Sequence, residues 1–114
     1  MNRELTAEKL HDILATAQNA RGYYFNNDRR QTMLLLKSLL VNHKRYGYMS
    51  CPCRLATGMR ERDKDIICPC VYREADVGEF GTCYCGLYVA ENSKEKFISV
   101  NVPERRRIDL NAFE

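Results

Sequence analysis

No cysteine lies outside residues 51–85, and no run approaches the roughly 18 consecutive apolar residues that cross a membrane. No segment repeats or falls into low complexity. Residues 1–20 alternate charged and apolar side chains where an export signal would carry an apolar stretch. These absences argue against a membrane protein and against an exported one, so the chain reads as soluble and cytoplasmic. A formal charge of only +3 gives no ground for a nucleic-acid partner. In such a setting six cysteines are expected to bind metal or to do redox chemistry, not to staple a secreted fold.

At 114 residues the sequence predicts a single domain with a modest core. Helices are expected in 1–48, the cysteine site in 49–90 and a tail in 91–114. Thr6 reads as an N-cap and Glu8 suits the first turn, so a helix is expected from Thr6 to Ala20, with Leu10, Ile13, Leu14 and Ala17 at helical spacing and a stop at Gly22. A second helix follows. Asn27 or Asp28 caps it, Met33, Leu35, Leu36, Leu39 and Leu40 form a broad apolar face, and Lys44 and Arg45 suit its negative end before Gly47. "RLATGMRERDKD" is expected to be helical or looped, "DVGEFGT" a turn, and "GLYVA" and "EKFISVNVP" extended; "PERRRIDLNAFE" should wrap the surface or stay loose.

Charge is unevenly spread. Residues 21–64 hold ten Lys and Arg against three Asp and Glu, whereas 65–92 hold one against five. Such a pair of faces can steer a charged protein partner, although ordinary solvated charges would look the same.

The cysteines come as three Cys-X-Cys pairs: Cys51 and Cys53, Cys68 and Cys70, Cys83 and Cys85. Cysteines two apart rarely bridge each other without strain. Each pair is therefore expected to divide its sulfurs between partners or to give both to one metal centre. Four thiolates complete a tetrahedral zinc or a 4Fe-4S cubane, which leaves two for reaction. Zinc pairs usually arrive as C-x₂₋₄-C, so zinc fits this spacing poorly, and a pure disulfide knot fits it less. Pro52 and Pro69 fix φ inside two of the pairs.

"CPCR" at 51–54, "CPCVYR" at 68–73 and "CYCGLY" at 83–88, with "YYFNNDRRQTMLLLKSLLVNHKRYGYMS" before them, resemble the catalytic (β) subunit of ferredoxin:thioredoxin reductase. The likeness covers roughly residues 6–90. It implies a mainly α, small iron–sulfur domain, with helices packed around a 4Fe-4S cluster and an adjacent redox-active disulfide. Carried over by position, Cys51, Cys68, Cys70 and Cys83 would bind the cluster. Cys53 would attack the target disulfide and Cys85 would face the cluster. The implied activity is reduction of a thioredoxin- or glutaredoxin-like protein, with ferredoxin or a similar carrier as donor. Each electron arrives singly although a disulfide needs two.

The sequence departs from the plant-type members in two places. Tyr84 stands where they carry histidine, and is expected to pack over the cluster because a phenol is a poor base near neutral pH. "EADVGEFGT" lengthens the stretch between Cys70 and Cys83 and suggests an altered loop near the docking surface. Nothing in the chain resembles the variable subunit of the plant-type enzymes, so the protein is expected to work alone or with another protein. Arg54 and Arg73, each just after a CPC motif, either tune the sulfurs or are solvated at the surface. Met49 and Tyr88 read as packing residues. The rival reading is a non-catalytic zinc-binding structural module.

Overall fold

A computed structural model of the chain describes residues 4–95 and 100–107. Among these, three α-helices pack with a two-stranded antiparallel sheet. The first helix, α1 (Ala7–Asn19), begins where Thr6 Oγ1 accepts from the Lys9 amide at 3.2 Å. That bond satisfies one of the donors a helix start leaves open. In α2 (Arg29–Tyr46) the cap is Asp28, which accepts from Gln31 N at 3.1 Å. Gly47 ends it at φ 84°, in the left-handed region that glycine enters without a Cβ penalty.

The apolar face expected of α2 is the one that packs. Leu36 and Leu39 are fully buried, with Met33, Leu35 and Leu40 against them. The face of α1 is rotated from the expected one. Ala7 and Leu10 are buried and Leu14 packs beside them, whereas Ile13 is 57% exposed and Ala17 also faces outward. Gln18 takes the buried position because Arg73 Nη1 donates to its Oε1 at 2.6 Å. Apolar periodicity is blind to a polar residue whose partner lies 55 positions away.

Two short strands close the core. β1 (Tyr23–Phe25), between the helices, pairs with β2 (Tyr88–Ala90) in the register Tyr23 to Ala90, Tyr24 to Val89 and Phe25 to Tyr88. The expectation of an extended segment in "GLYVA" holds there, while β1 has no counterpart among the expected elements: three residues carry no periodicity of their own.

"DVGEFGT" is not a turn. It lies mostly within α3 (Arg73–Phe80), with Gly78 inside the helix and Gly81 as its left-handed C-cap at φ 81°. The two glycines suggested a turn, but only the second bends the chain. Glu74 and Asp76 in the first turn favour the helix through its dipole. The stretch between Cys70 and Cys83, expected as an altered loop, is thus mostly helical. "RLATGMRERDKD" is loop apart from the start of a short 3₁₀ turn over Lys64–Ile66.

Of the extended segment expected in "EKFISVNVP", residues 96–99 lie outside the described residues. Of the tail, 100–107 wraps the body. Val102 is buried, and Glu104, Arg105 and Arg106 pair with Arg54, Asp76 and Asp65 respectively. Residues 108–114 also lie outside the described residues.

Candidate redox and metal centre

Backbone bonds bring the cysteine pairs together. The Cys51 amide donates to Ile66 O at 2.7 Å and the Cys68 amide donates to Met49 O at 2.8 Å, across an antiparallel bridge between Ser50 and Ile67. The first two motifs therefore start side by side. The third is tied to β2, where Cys83 N donates to Tyr88 O at 2.9 Å. The first and third motifs turn in the same way, with both cysteines inside the turn: Arg54 N donates to Cys51 O and Gly86 N to Cys83 O. In the second motif the turn begins one pair-member later, where Arg73 N donates to Cys70 O.

Five sulfurs line one pocket. Its wall consists of Cys51, Cys68, Cys70, Cys83 and Cys85, with Arg54, Pro69, Arg73, Tyr84 and Tyr88. Cys53, the sixth cysteine, is exposed and lines a separate recess of about 200 Å³ with Arg54, Leu55, Tyr84, Glu104 and Arg106. Cys83 Sγ and Cys85 Sγ stand 3.8 Å apart. The peptide bond from Cys68 to Pro69 is cis. Among the described residues, no three His, Cys, Asp or Glu side chains converge tightly enough to hold a single ion. The sulfurs are spread around a wall.

The thiols differ by environment. Hydrogen bonding from Cys85 holds Cys51 down to about 7 and Cys83 down to about 6, against the opposing effect of burial. The Cys85 thiol, donor in those bonds, is pushed well above its ordinary value, and its bond to Cys53 lowers that thiol. Burial raises Cys68 and Cys70.

Two buried guanidinium groups border the sulfurs, which excludes surface solvation for both arginines. Arg54 Nη1 donates to Cys70 Sγ at 3.4 Å and to Cys51 Sγ at 3.6 Å. Its other nitrogens bind Glu104 at 2.8 and 2.9 Å, a two-pronged pair that fixes the plane of the group. Tyr84 and Tyr72 offer their rings to it at 4.5 and 5.0 Å. Burial opposes the Arg54 charge, but Glu104 and the neighbouring sulfurs more than offset it. Arg73 lies over the Tyr23 ring at 3.7 Å and the Tyr88 ring at 4.8 Å.

The sequence pattern of the family described as ferredoxin thioredoxin reductase catalytic beta chain matches residues 1–112. The chain belongs to that family. Its membership carries a redox role, that of the catalytic subunit of a reductase, and an association with ferredoxin and thioredoxin. None of the curated proteins compared matches the chain.

The donor set of the pocket suits the iron–sulfur group that this family implies. Its only metal-binding side chains are sulfurs, the soft donors on which such clusters are built, and no carboxylate or imidazole competes among its lining residues. One lining hydroxyl, that of Tyr88, has no partner among the described residues and is therefore available to a group within.

Tyr84 lines this pocket with its ring against the Arg54 guanidinium at 4.5 Å, and Met49 packs on the core. Reasoning on the sequence missed Glu104 and Asp63. The buried Asp63 carboxylate accepts from Thr57 N at 3.0 Å, Thr57 Oγ1 at 3.0 Å, Gly58 N at 3.3 Å and the Tyr48 hydroxyl, and so pins the loop that follows Cys53 and Arg54. Both sit in charged stretches that look solvated, and no signal in the sequence marked either one.

Proposed function

We propose that the protein is an iron–sulfur disulfide reductase acting in the cytoplasm. It would take electrons singly from ferredoxin or a similar carrier and reduce a thioredoxin- or glutaredoxin-like protein. The observation that carries this reading is the partition of the sulfurs, five around one pocket and Cys53 exposed beside it.

Cys51, Cys68, Cys70 and Cys83 are the residues that would hold a 4Fe-4S cluster, with Cys53 and Cys85 as the reacting pair. When bound, the cluster supplies electrons one at a time to a disulfide that must receive two. In the dithiol state the exposed Cys53 thiolate attacks one sulfur of the target disulfide. The target S–S bond breaks, a mixed disulfide forms, and the departing thiolate takes up a proton. Cys85 then gives up its proton and attacks the Cys53 sulfur, which releases the second target thiol and leaves a Cys53–Cys85 disulfide. Two electrons have passed to the target, and two single-electron deliveries restore the dithiol.

The environments of the two thiols support this order. Cys53 is exposed and its thiol is lowered by the bond from Cys85, whereas Cys85 is largely enclosed and held protonated. The first can meet a protein while the second waits behind it.

The deciding experiment purifies the chain and Cys53→Ser without oxygen and measures iron, labile sulfide, zinc and thioredoxin reduction. About four irons and four sulfides per chain in both proteins are expected, with turnover lost only in the variant. Zinc without labile sulfide would overturn the proposal in favour of a structural zinc module, and full turnover in Cys53→Ser would overturn the assignment of Cys53 as the attacking sulfur.

A further inference from the structure

Tyr88 looks in the sequence like a packing residue, and its ring does pack. Phe25 stacks on it at 5.6 Å between centroids, and the Arg73 guanidinium covers it at 4.8 Å. Its backbone amide donates to Cys83 Sγ at 3.3 Å, which ties the residue to the sulfur wall. The hydroxyl is the anomaly. Tyr88 is only 2% exposed, yet its oxygen has no hydrogen-bond partner among the described residues.

A buried hydroxyl without an acceptor is costly, and phenylalanine would fill the same space without that penalty. The ring cannot readily swing away to find a partner because both neighbours clamp it. Tyr88 lines the cysteine pocket together with Cys68, Cys83, Cys85 and Arg73. A phenol keeps its proton near neutral pH and so has a hydrogen bond to donate. Apart from the Tyr84 hydroxyl, the side-chain acceptors that line the pocket with Tyr88 are sulfurs.

We infer that the Tyr88 hydroxyl donates a hydrogen bond to a sulfur of the iron–sulfur group seated in this pocket, and thereby makes that group easier to reduce. The inference rests on the cluster assignment proposed above. Hydrogen bonds to cluster sulfurs stabilise the more negative, reduced form more than the oxidised one, and so raise the potential. Tyr88 is accordingly a positioning and tuning residue, and it takes no part in sulfur exchange.

The test compares the anaerobically loaded chain with Tyr88→Phe by iron and sulfide analysis, by redox titration of the cluster, and by the shift of iron–sulfur stretching bands between H₂O and D₂O. Equal iron and sulfide are expected. The equilibrium should move about tenfold toward the oxidised form in the variant, ~59 mV for one electron, with part of the isotope shift lost. Identical potentials and isotope shifts in two fully loaded proteins would refute the role of Tyr88 while leaving the cluster in place. Absence of iron and sulfide from both proteins would instead remove the cluster assignment and the inference with it. If Tyr88→Phe alone fails to load, 3-fluorotyrosine inserted at position 88 replaces it. Its more acidic phenol should raise the potential, and an unchanged or lowered value would overturn the inference.

Discussion

Replacing Glu104 by glutamine tests whether the tail holds the sulfur site together. The Arg54 side chain is 2% exposed and Glu104 is 24% exposed, and two bonds of 2.8 and 2.9 Å join them. Breaking a fully buried pair costs ~3–5 kcal/mol because one charge is left without a partner. Two features reduce that figure here. Water reaches the Glu104 side, and glutamine keeps one carbonyl oxygen for one of the two bonds. We expect a loss of about 2 kcal/mol, roughly a thirtyfold rise in the unfolded fraction by the rule that ~1.4 kcal/mol is tenfold. The assay is urea denaturation of the loaded chain, followed by absorbance and by iron release to a chelator. Glu61→Gln is the control, since its partner Lys64 and Glu61 itself are exposed and such pairs contribute under ~1 kcal/mol. A Glu104→Gln loss no larger than that of the control would refute the reasoning and show the tail to be dispensable.

Asp63→Asn should cost ~2–3 kcal/mol, because the amide nitrogen would face donors that now meet a carboxylate. Burial pushes the Asp63 carboxyl up, but its bonds from Tyr48, Thr57 and Gly58 outweigh that and hold it below 3.8. A lowered folded value means that its stabilisation is complete above the ordinary carboxylate range and is lost as pH falls through the folded value. The gap between wild type and Asp63→Asn, measured by thermal melts, should therefore be constant near neutrality and close only in acid; a gap that widens in acid would contradict this. Arg29 and Arg30 are exposed in the first turn of α2, the end of a helix that disfavours positive charge. That turn neighbours Cys83–Gly86, since Asn26 and Gln31 share a recess of about 260 Å³ with Cys83, Tyr84 and Cys85. Reversing both to glutamate should slow reduction by an acidic ferredoxin at least severalfold at low salt, with the difference shrinking as salt rises. Equal rates in stopped-flow mixing at low salt would remove this face as the docking site.

The charge asymmetry shows how far composition can be pushed. The acidic stretch 65–92 looked like a face presented to partners, but its members Asp65, Asp76 and Glu79 are paired with Arg105 and Arg106 of the chain's own tail. The basic stretch retains exposed arginines at the start of α2.

Local chemistry was legible without coordinates. Caps and helix ends marked the extents of α1 and α2, and apolar periodicity marked the packed face of α2, because each depends on neighbours within a turn. The triple Cys-X-Cys spacing likewise pointed to sulfur chemistry and to the family, since it is a property of the chain alone. What needed the tertiary structure was every feature that depends on residues far apart. The rotation of α1 follows from Gln18 meeting Arg73, and α3 runs through Gly78 with Val77 packed into the core. The burial of Arg54 required Glu104, fifty positions away, and the isolated Tyr88 hydroxyl emerged only once Phe25 and Arg73 enclosed its ring. A sequence fixes the pattern of its own neighbours, but whether a charge is paired or a hydroxyl is satisfied is decided by what folding brings against it.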